Sequence, residues 1–138
     1  RAALIETVRL ASEVNKYLDQ TAPWFEIKSD KAAAATTIYT ALRAIDSLKV
    51  LFSPFLPFTS ERLHSYFGYQ EPLFGEQGVE NRSDKLGEHT VLRYYLEKGC
   101  GRWEPSQLPA GQTLKQPAPL FKKLDESIVE EERARLGT

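Results

Sequence analysis

The chain has 138 residues, of which 41% are hydrophobic and 27% are charged, so its length and composition fit one ordinary globular domain. Its net charge of −1 speaks against a strongly basic surface and against tight, sequence-independent binding to nucleic acid. No apolar run approaches the roughly 18 residues of a membrane-spanning helix, and the first residues lack the apolar core of a signal peptide.

The first predicted element is an amphipathic helix over residues 2–19. Apolar side chains recur there at intervals of three and four, which is the spacing of one helical face: Leu4, Ile5, Val8, Ala11, Val14 and Leu18. Pro23 ends this pattern, because a proline displaces the residue before it from the helical conformation. Residues 21–24 are therefore predicted to form a turn, and Trp24 begins the segment that follows.

A second, stronger helix is predicted from Ser29 or Asp30 to about residue 51. Either of these two residues can cap its start, and the alanine-rich stretch that follows has high helix propensity. Apolar residues again recur at helical spacing along one face, so this helix is expected to pack against its neighbours.

A short third helix is predicted after Pro57, which interrupts the helical pattern. Thr59 or Ser60 can cap its start, and Gly68 can end it. Three helices joined by short turns within residues 1–68 are typical of an antiparallel helix bundle. The predicted fold class is therefore all-α.

Regular patterns weaken after the third helix. The stretch "HTVLRYYLEKG" is compatible with either a strand or a short helix, and its surroundings are rich in glycine. The predicted organisation is a helical bundle over 1–68, an irregular insertion or linker wrapped over the bundle at 69–118, and a C-terminal helix over 119–138. The chain begins with Arg1 and contains no methionine, which favours a fragment of a longer protein.

The sequence contains no recognisable catalytic constellation, phosphate-binding loop or metal-ligand spacing. His64 is predicted to be a solvated or capping side chain on a mostly exposed helix. The acidic run at 130–132 is predicted to be a solvated helix face. Cys100 is the one cysteine, so it is expected to be a reduced thiol of a cytosolic protein. No catalytic residue and no metal site are therefore predicted.

The segment "NKYLDQTAPW", residues 15–24, is the candidate binding site. Trp24 has two readings: its ring packs beneath the bundle, or the rigid corner at Pro23 presents the indole to a flat partner such as an unpaired nucleobase. Asn15 and Asp19 lie one helical turn apart on one face and could read the edge of that base. Asp19 would also repel phosphate, which suits discrimination between partners rather than anchoring.

These residues resemble the anticodon-binding helical bundle of methionyl-tRNA synthetase, a class I aminoacyl-tRNA synthetase family. The similar residues are "NKYLDQTAPW" and the later "AATTIYTALRAIDSLKVLFSPFLPFTSERLHSYFG". The tail "RWEPSQLPAGQTLKQPAPLFKKLD" is similar to the family's stretch after the bundle, where a tryptophan, a glycine turn and a "P-x-PLF-x-K-[IL]" motif recur. Residues 69–96 match least and look like an insertion.

The resemblance implies that the chain is the tRNA-recognition part of an enzyme that joins methionine to its tRNA with ATP and Mg²⁺. Its expected partners are the anticodon loop of the tRNA and the enzyme's catalytic domain, and a cytoplasmic location without a membrane partner follows. Neither the catalytic motifs nor a cofactor site is expected in this chain. Trp24 would stack on the first anticodon base, and Asp19 would help to reject wrong anticodons. The family's N-x-x-x-R pattern is not found, so the bundle's first helix is expected to be missing.

Two alternatives remain open from the sequence. The same bundle type occurs in the synthetases for leucine, isoleucine, valine and cysteine, although the "APW" corner together with "PAPLFKKLD" favours the methionine enzyme. The chain could instead be a purely structural helical module that docks on another domain, in which case Trp24 would be buried.

Overall fold

The computed structural model describes residues 1–85, 87–125 and 127–136, which form a mostly helical protein with one small sheet. The elements of this described part are, in chain order, helices α1 Ala2–Thr21, α2 Pro23–Glu26, α3 Lys31–Phe52 and α4 Pro57–Tyr66, strands β1 Glu76–Asp84 and β2 Gly87–Tyr95, and helix α5 Ser127–Arg135. A 3-10 turn at Leu96–Lys98 follows β2. None of the helices within the described ranges has both the length and the apolar character that crossing a bilayer requires.

Helix α3 is the centre of the helical part and packs against α1, α2 and α4. Asp30 caps it, because its Oδ1 accepts hydrogen bonds from the backbone N–H groups of Ala32 and Ala33 at 2.9 and 3.0 Å. The start predicted at Ser29 or Asp30 is thereby confirmed. Its buried apolar side chains recur every seven residues, which gives one continuous stripe: Ala34, Ala41 and Leu48.

Helix α4 begins at Pro57, so the cap predicted at Thr59 or Ser60 is wrong. Proline suits the first position of a helix, because it has no N–H group to leave unpaired and its φ is already near the helical value. Gly68 follows the helix with a φ of +81°, which glycine adopts without strain. The end of the helix therefore lies where the sequence predicted it.

The prediction of an all-α fold is confirmed only in part, because the protein is mostly helical but the stretch predicted to be irregular contains an antiparallel β-hairpin. Strands β1 and β2 pair from Glu76 opposite Tyr95 to Asp84 opposite Gly87. The sequence of β1, EQGVENRSD, has one β-branched residue and is mostly exposed, so it shows no alternating pattern. The ambiguous "HTVLRYYLEKG" covers most of β2 and the 3-10 turn after it.

Polar contacts across the two strands hold the hairpin. Glu80 accepts a hydrogen bond from the Tyr95 hydroxyl at 2.7 Å and another from Arg93 Nη1 at 3.1 Å. These two hydrogen bonds, with the charge of Arg93, lower the pKa of the Glu80 carboxyl. The hairpin is thus joined by polar side-chain pairs on one face.

Residues 99–115, here termed the return segment, run back from the hairpin to the helices. Their first backbone contacts are with the residues just before the hairpin. The Cys100 N–H group donates to the Pro72 carbonyl and the Gly101 N–H group donates to the Leu73 carbonyl, both at 2.9 Å. The chain therefore enters and leaves the hairpin at one place.

The return segment then docks along α3. The Tyr39 hydroxyl donates to the Leu108 carbonyl at 2.8 Å, and Arg43 Nη2 donates to the Ser106 carbonyl at 2.6 Å. Ser106 and Leu108 are both buried. A segment without helix or strand is in this way fixed by side chains of the central helix.

A polar group termed the Asp46 cluster lies where the return segment meets α3; it consists of the buried Asp46, Lys49 and Ser106 and the half-buried Tyr69. Asp46 and Lys49 form an ion pair whose side chains are 5% and 4% exposed. Asp46 Oδ2 accepts hydrogen bonds from the Tyr69 hydroxyl at 3.0 Å and from Ser106 Oγ at 2.6 Å. Burial, with the Asp46 charge and hydrogen bond, raises the pKa of Tyr69, so its hydroxyl remains a donor.

The prediction that His64 is solvated or a cap is wrong, because its side chain is 2% exposed. Its ring stacks on Tyr69 with centroids 4.4 Å apart. Nε2 lies 2.8 Å from the Glu71 carbonyl oxygen, which can only accept, so Nε2 carries the hydrogen. Nδ1 is buried without a hydrogen-bond partner in the described part of the chain. Burial lowers the pKa of His64, since a second proton would lie on a nitrogen without an acceptor.

We therefore expect the free energy of unfolding to decrease as the pH is lowered below the ordinary pKa of histidine. The unfolded chain takes up this proton near pH 6.5 and the folded chain at lower pH, so the contribution of His64 is complete above 6.5 and is lost as the pH falls through the folded pKa. Urea midpoints measured between about pH 8 and pH 5 test this expectation. The decline should be shallower in His64→Phe, which keeps a ring against Tyr69 but cannot titrate.

The matched control for this titration is His89→Asn. It removes the other histidine of the chain, which lies on the hairpin, and so shows how much of any change in slope is specific to His64. Equal slopes for the parent and His64→Phe would contradict the assignment.

The C-terminal part of the chain has little packing. Helix α5 begins at Ser127, inside the range 119–138 that was predicted to be helical, and has no buried side chain. Residues 126, 137 and 138 of that predicted helix lie outside the described residues. The division of the chain at residues 68 and 118 stays a prediction.

Candidate nucleic-acid interface

The chain turns between α1 and α2 at a single residue. Helix α1 continues to Thr21, and α2 begins at Pro23. Ala22 alone lies between them, with φ 42° and ψ 56° in the left-handed region. The turn predicted over 21–24 is therefore shorter than expected, since Thr21 and Trp24 are both helical. Residues 21–25 are termed the corner below.

Backbone hydrogen bonds hold the corner on both sides of Ala22. Its N–H group donates to the Leu18 carbonyl at 2.8 Å, which closes the end of α1. Its carbonyl oxygen accepts from the N–H groups of Phe25 at 2.9 Å and Glu26 at 3.3 Å, which opens α2. Helix α2 also packs against α3. The corner is thus fixed both within the backbone and from the central helix.

The corner buries its proline and exposes its tryptophan. Pro23 is buried, whereas Trp24 is 50% exposed. The tryptophan is therefore not packed beneath the bundle, which was one of its two readings. Phe25 is 67% exposed, and its ring meets the Trp24 ring edge to face with centroids 6.3 Å apart and planes at 64°. Two adjacent aromatic rings are accordingly available to a partner at this end of α1.

Asn15 and Asp19 lie one turn apart on α1, and both are exposed. Asp19 belongs to the last turn before the corner, and Asn15 lies about 6 Å further back along the helix axis. The structure thus brings Asp19 and Trp24 to the same end of α1, with Asn15 one turn away.

The charges around the corner balance. Three lysines and three carboxylates occur over residues 15–31: Lys16, Lys28, Lys31, Asp19, Glu26 and Asp30. Such a surface attracts phosphate weakly, so a nucleic acid would have to be bound through stacking and through polar contacts with bases. Among the residues with described positions, no group of three or more histidine, cysteine, aspartate or glutamate side chains is placed to hold a metal ion.

Two residues of the corner were missed by sequence analysis. Ala22 gives no sequence signal, because an alanine before a proline is expected to be extended. Phe25 did give a sequence signal, because two adjacent aromatic residues directly after a proline are unusual at a predicted helix end. Both residues bear on how Trp24 is oriented.

The chain is similar to known proteins over nearly its whole length. Residues 1–90, which include the corner and helices α1 to α4, match the family described as the anticodon binding domain of methionyl tRNA ligase. The chain is 55% identical to the methionine–tRNA ligase of Thermomicrobium roseum, 52% to that of Chloroflexus aggregans and 51% to that of Chloroflexus aurantiacus, each over 99% of its residues. It spans about a quarter of the length of these relatives, namely 24%, 23% and 23%.

Proposed function

Because the chain belongs to the family of anticodon-binding domains of methionyl-tRNA ligase, we propose that its corner recognises the anticodon loop of the methionine tRNA. The observation that carries this proposal is the half-exposed Trp24 next to the buried Pro23. Stacking of a base on an aromatic ring contributes about 1–3 kcal/mol and needs no basic surface, which suits a corner whose charges balance.

The residues of the corner and of α1 have separate roles in this proposal. Trp24 stacks on the first anticodon base, and Pro23 holds it at the end of α1. Asp19 disfavours loops that would bring phosphate or an acceptor group close to its carboxylate. Asn15 offers an amide donor and an acceptor to the edge of a base. The side chains of Asn15, Asp19 and Trp24 are all exposed, which supports these roles.

The proposal extends to the longer protein from which such a domain comes. That protein would attach methionine to its tRNA with ATP and Mg²⁺ in a catalytic domain, in the cytoplasm and without a membrane partner. The name that the three relatives share supports the methionine enzyme over the synthetases for other amino acids. A purely structural docking module would bury Trp24, and its exposure opposes that alternative.

Trp24→Ala is expected to weaken binding of an anticodon stem-loop with the sequence CAU by about 10- to 100-fold, since a tenfold change corresponds to about 1.4 kcal/mol. Titration of the 138-residue chain with a labelled stem-loop measures this. The parent should bind a loop with a changed first base more weakly, and Trp24→Ala should no longer separate the two loops.

Trp103→Ala is the matched control, because Trp103 is a second tryptophan, 72% exposed and outside the corner. Its removal should leave the affinity for both loops unchanged. The stacking role is wrong if Trp24→Ala binds the CAU loop as tightly as the parent does, or if that variant no longer folds.

A further inference from the structure

The backbone at Ala22 is unusual on two counts. Ala22 is the one residue other than glycine with a positive φ in the described part of the chain. The left-handed conformation brings the Cβ of an L-residue close to the backbone, so residues other than glycine and asparagine adopt it rarely. Pro23 additionally favours an extended conformation for the residue before it, and Ala22 is not extended.

The surrounding contacts maintain this unfavourable conformation. The hydrogen bonds from the Ala22 N–H group to Leu18 and from Phe25 to the Ala22 carbonyl both require the chain to turn at this residue. The burial of Pro23 prevents α2 from swinging away. Strained residues that are held in this way are found preferentially where geometry matters for function.

The conformation of Ala22 determines where Trp24 lies relative to α1. Since Ala22 is the whole link between α1 and α2, its two backbone dihedral angles set the direction of α2 relative to α1. Trp24 lies on α2 and Asp19 on α1, so the same two angles set the position of the indole relative to the carboxylate.

We propose that Ala22 is a positioning residue: the surrounding contacts hold it at positive φ, where its Cβ restricts it to one small left-handed region, and this fixes the Trp24 indole relative to Asp19 before any partner binds. This inference rests on the proposed function of the corner and adds a cause for its affinity. A platform that is already oriented loses less conformational freedom on binding than one that must be ordered.

Two substitutions separate positioning from mere folding. Glycine and asparagine both accept the left-handed conformation, so Ala22→Gly and Ala22→Asn should unfold at the same denaturant concentration as the parent or higher. At positive φ, glycine can also adopt many conformations outside the small left-handed region, whereas asparagine, which carries a Cβ, cannot. Ala22→Gly is therefore expected to bind the CAU stem-loop about two- to fivefold more weakly than the parent, and Ala22→Asn to bind it as the parent does.

The mobility of the indole gives a second readout that does not depend on RNA. In a Trp103→Phe background the fluorescence comes from Trp24 alone, because the chain has two tryptophans. Time-resolved anisotropy should show a larger amplitude of indole motion in Ala22→Gly than in the parent, and a parent-like amplitude in Ala22→Asn.

The outcomes separate this inference from the proposed function. If Ala22→Gly keeps the parent's affinity and indole mobility while Trp24→Ala weakens binding, the positioning role is overturned and the proposed function stands. If Trp24→Ala binds as the parent does, the proposed function fails, and the anisotropy alone then decides whether Ala22 positions the indole. Equal losses of affinity in Ala22→Gly and Ala22→Asn would also overturn the positioning role, since only glycine frees the backbone.

Discussion

Asp46→Ala is expected to lower the free energy of unfolding by about 3–5 kcal/mol, because it leaves the buried ammonium of Lys49 without its partner. The same change removes the acceptor of two hydroxyls, that of the buried Ser106 and that of the half-buried Tyr69. Denaturant unfolding followed by circular dichroism measures the loss. Hydrogen exchange should show the return segment opening first, since Ser106 joins it to Asp46.

Two controls distinguish the lost ion pair from lost packing. The double variant Asp46→Leu/Lys49→Met removes both charges and should regain most of the loss, since apolar residues of similar size often replace a buried pair without penalty. Glu6→Ala breaks an exposed pair with Arg9 on α1 and should hardly change the unfolding midpoint. A loss in Asp46→Ala no larger than in Glu6→Ala would show that the Asp46 cluster is hydrated in solution.

Gly68→Ala is expected to cost about 2–5 kcal/mol of stability for two reasons that add. Its φ of +81° disfavours an L-residue by about 1–2 kcal/mol. A Cβ at this position would also overlap the Thr113 carbonyl oxygen of the return segment, and such overpacking costs about 1–3 kcal/mol more. Denaturant unfolding of the variant measures the sum.

Gly111→Ala isolates the first of these two terms. Its φ of +84° is nearly the same as that of Gly68, yet a Cβ there would meet no atom within 4 Å. It should therefore lose only about 1–2 kcal/mol. The difference between the two variants measures how closely the return segment approaches the end of α4, and equal losses would mean that it does not lie there in solution.

The helical part of the fold could be predicted because its signals are local. The three- and four-residue spacing along α1 and α3 and the cap at Asp30 each arise within one element, and the structure has both helices where they were predicted. Strand β1 could not be predicted, because neither of its faces packs on an apolar core and its residues show no alternation. It is held by its pairing with β2 and by contacts with β2 side chains such as Tyr95 and Arg93, which a local pattern cannot reveal.

Burial of polar residues could not be predicted for a related reason. His64 has the neighbours of a surface residue in the sequence, and it is covered by Tyr69 and Cys100, which come from beyond the helix. Lys49 lies on the apolar face of α3 in the sequence, but its carboxylate partner and the Tyr69 ring above it are evident only in the folded chain.

The candidate site was predictable in part. The "APW" motif and its resemblance to a known family singled out Trp24, Pro23, Asp19 and Asn15, and the structure has these residues at one end of α1. Their roles toward RNA stay predictions. The conformation of Ala22 could not be predicted, because it contradicts both the preference of alanine and the restriction imposed by the following proline.

Backbone hydrogen bonds join the two ends of the hairpin, so the hairpin can be replaced without moving the chain on either side of it. The backbone bonds from Cys100 to Pro72 and from Gly101 to Leu73 tie its two ends together independently of what lies between them. A longer or shorter excursion between such ends changes the closure entropy only slightly, about 0.6 kcal/mol per doubling of length. We therefore expect this site to accept an excursion of different size, or a foreign domain, while α3, α4 and the corner stay where they are.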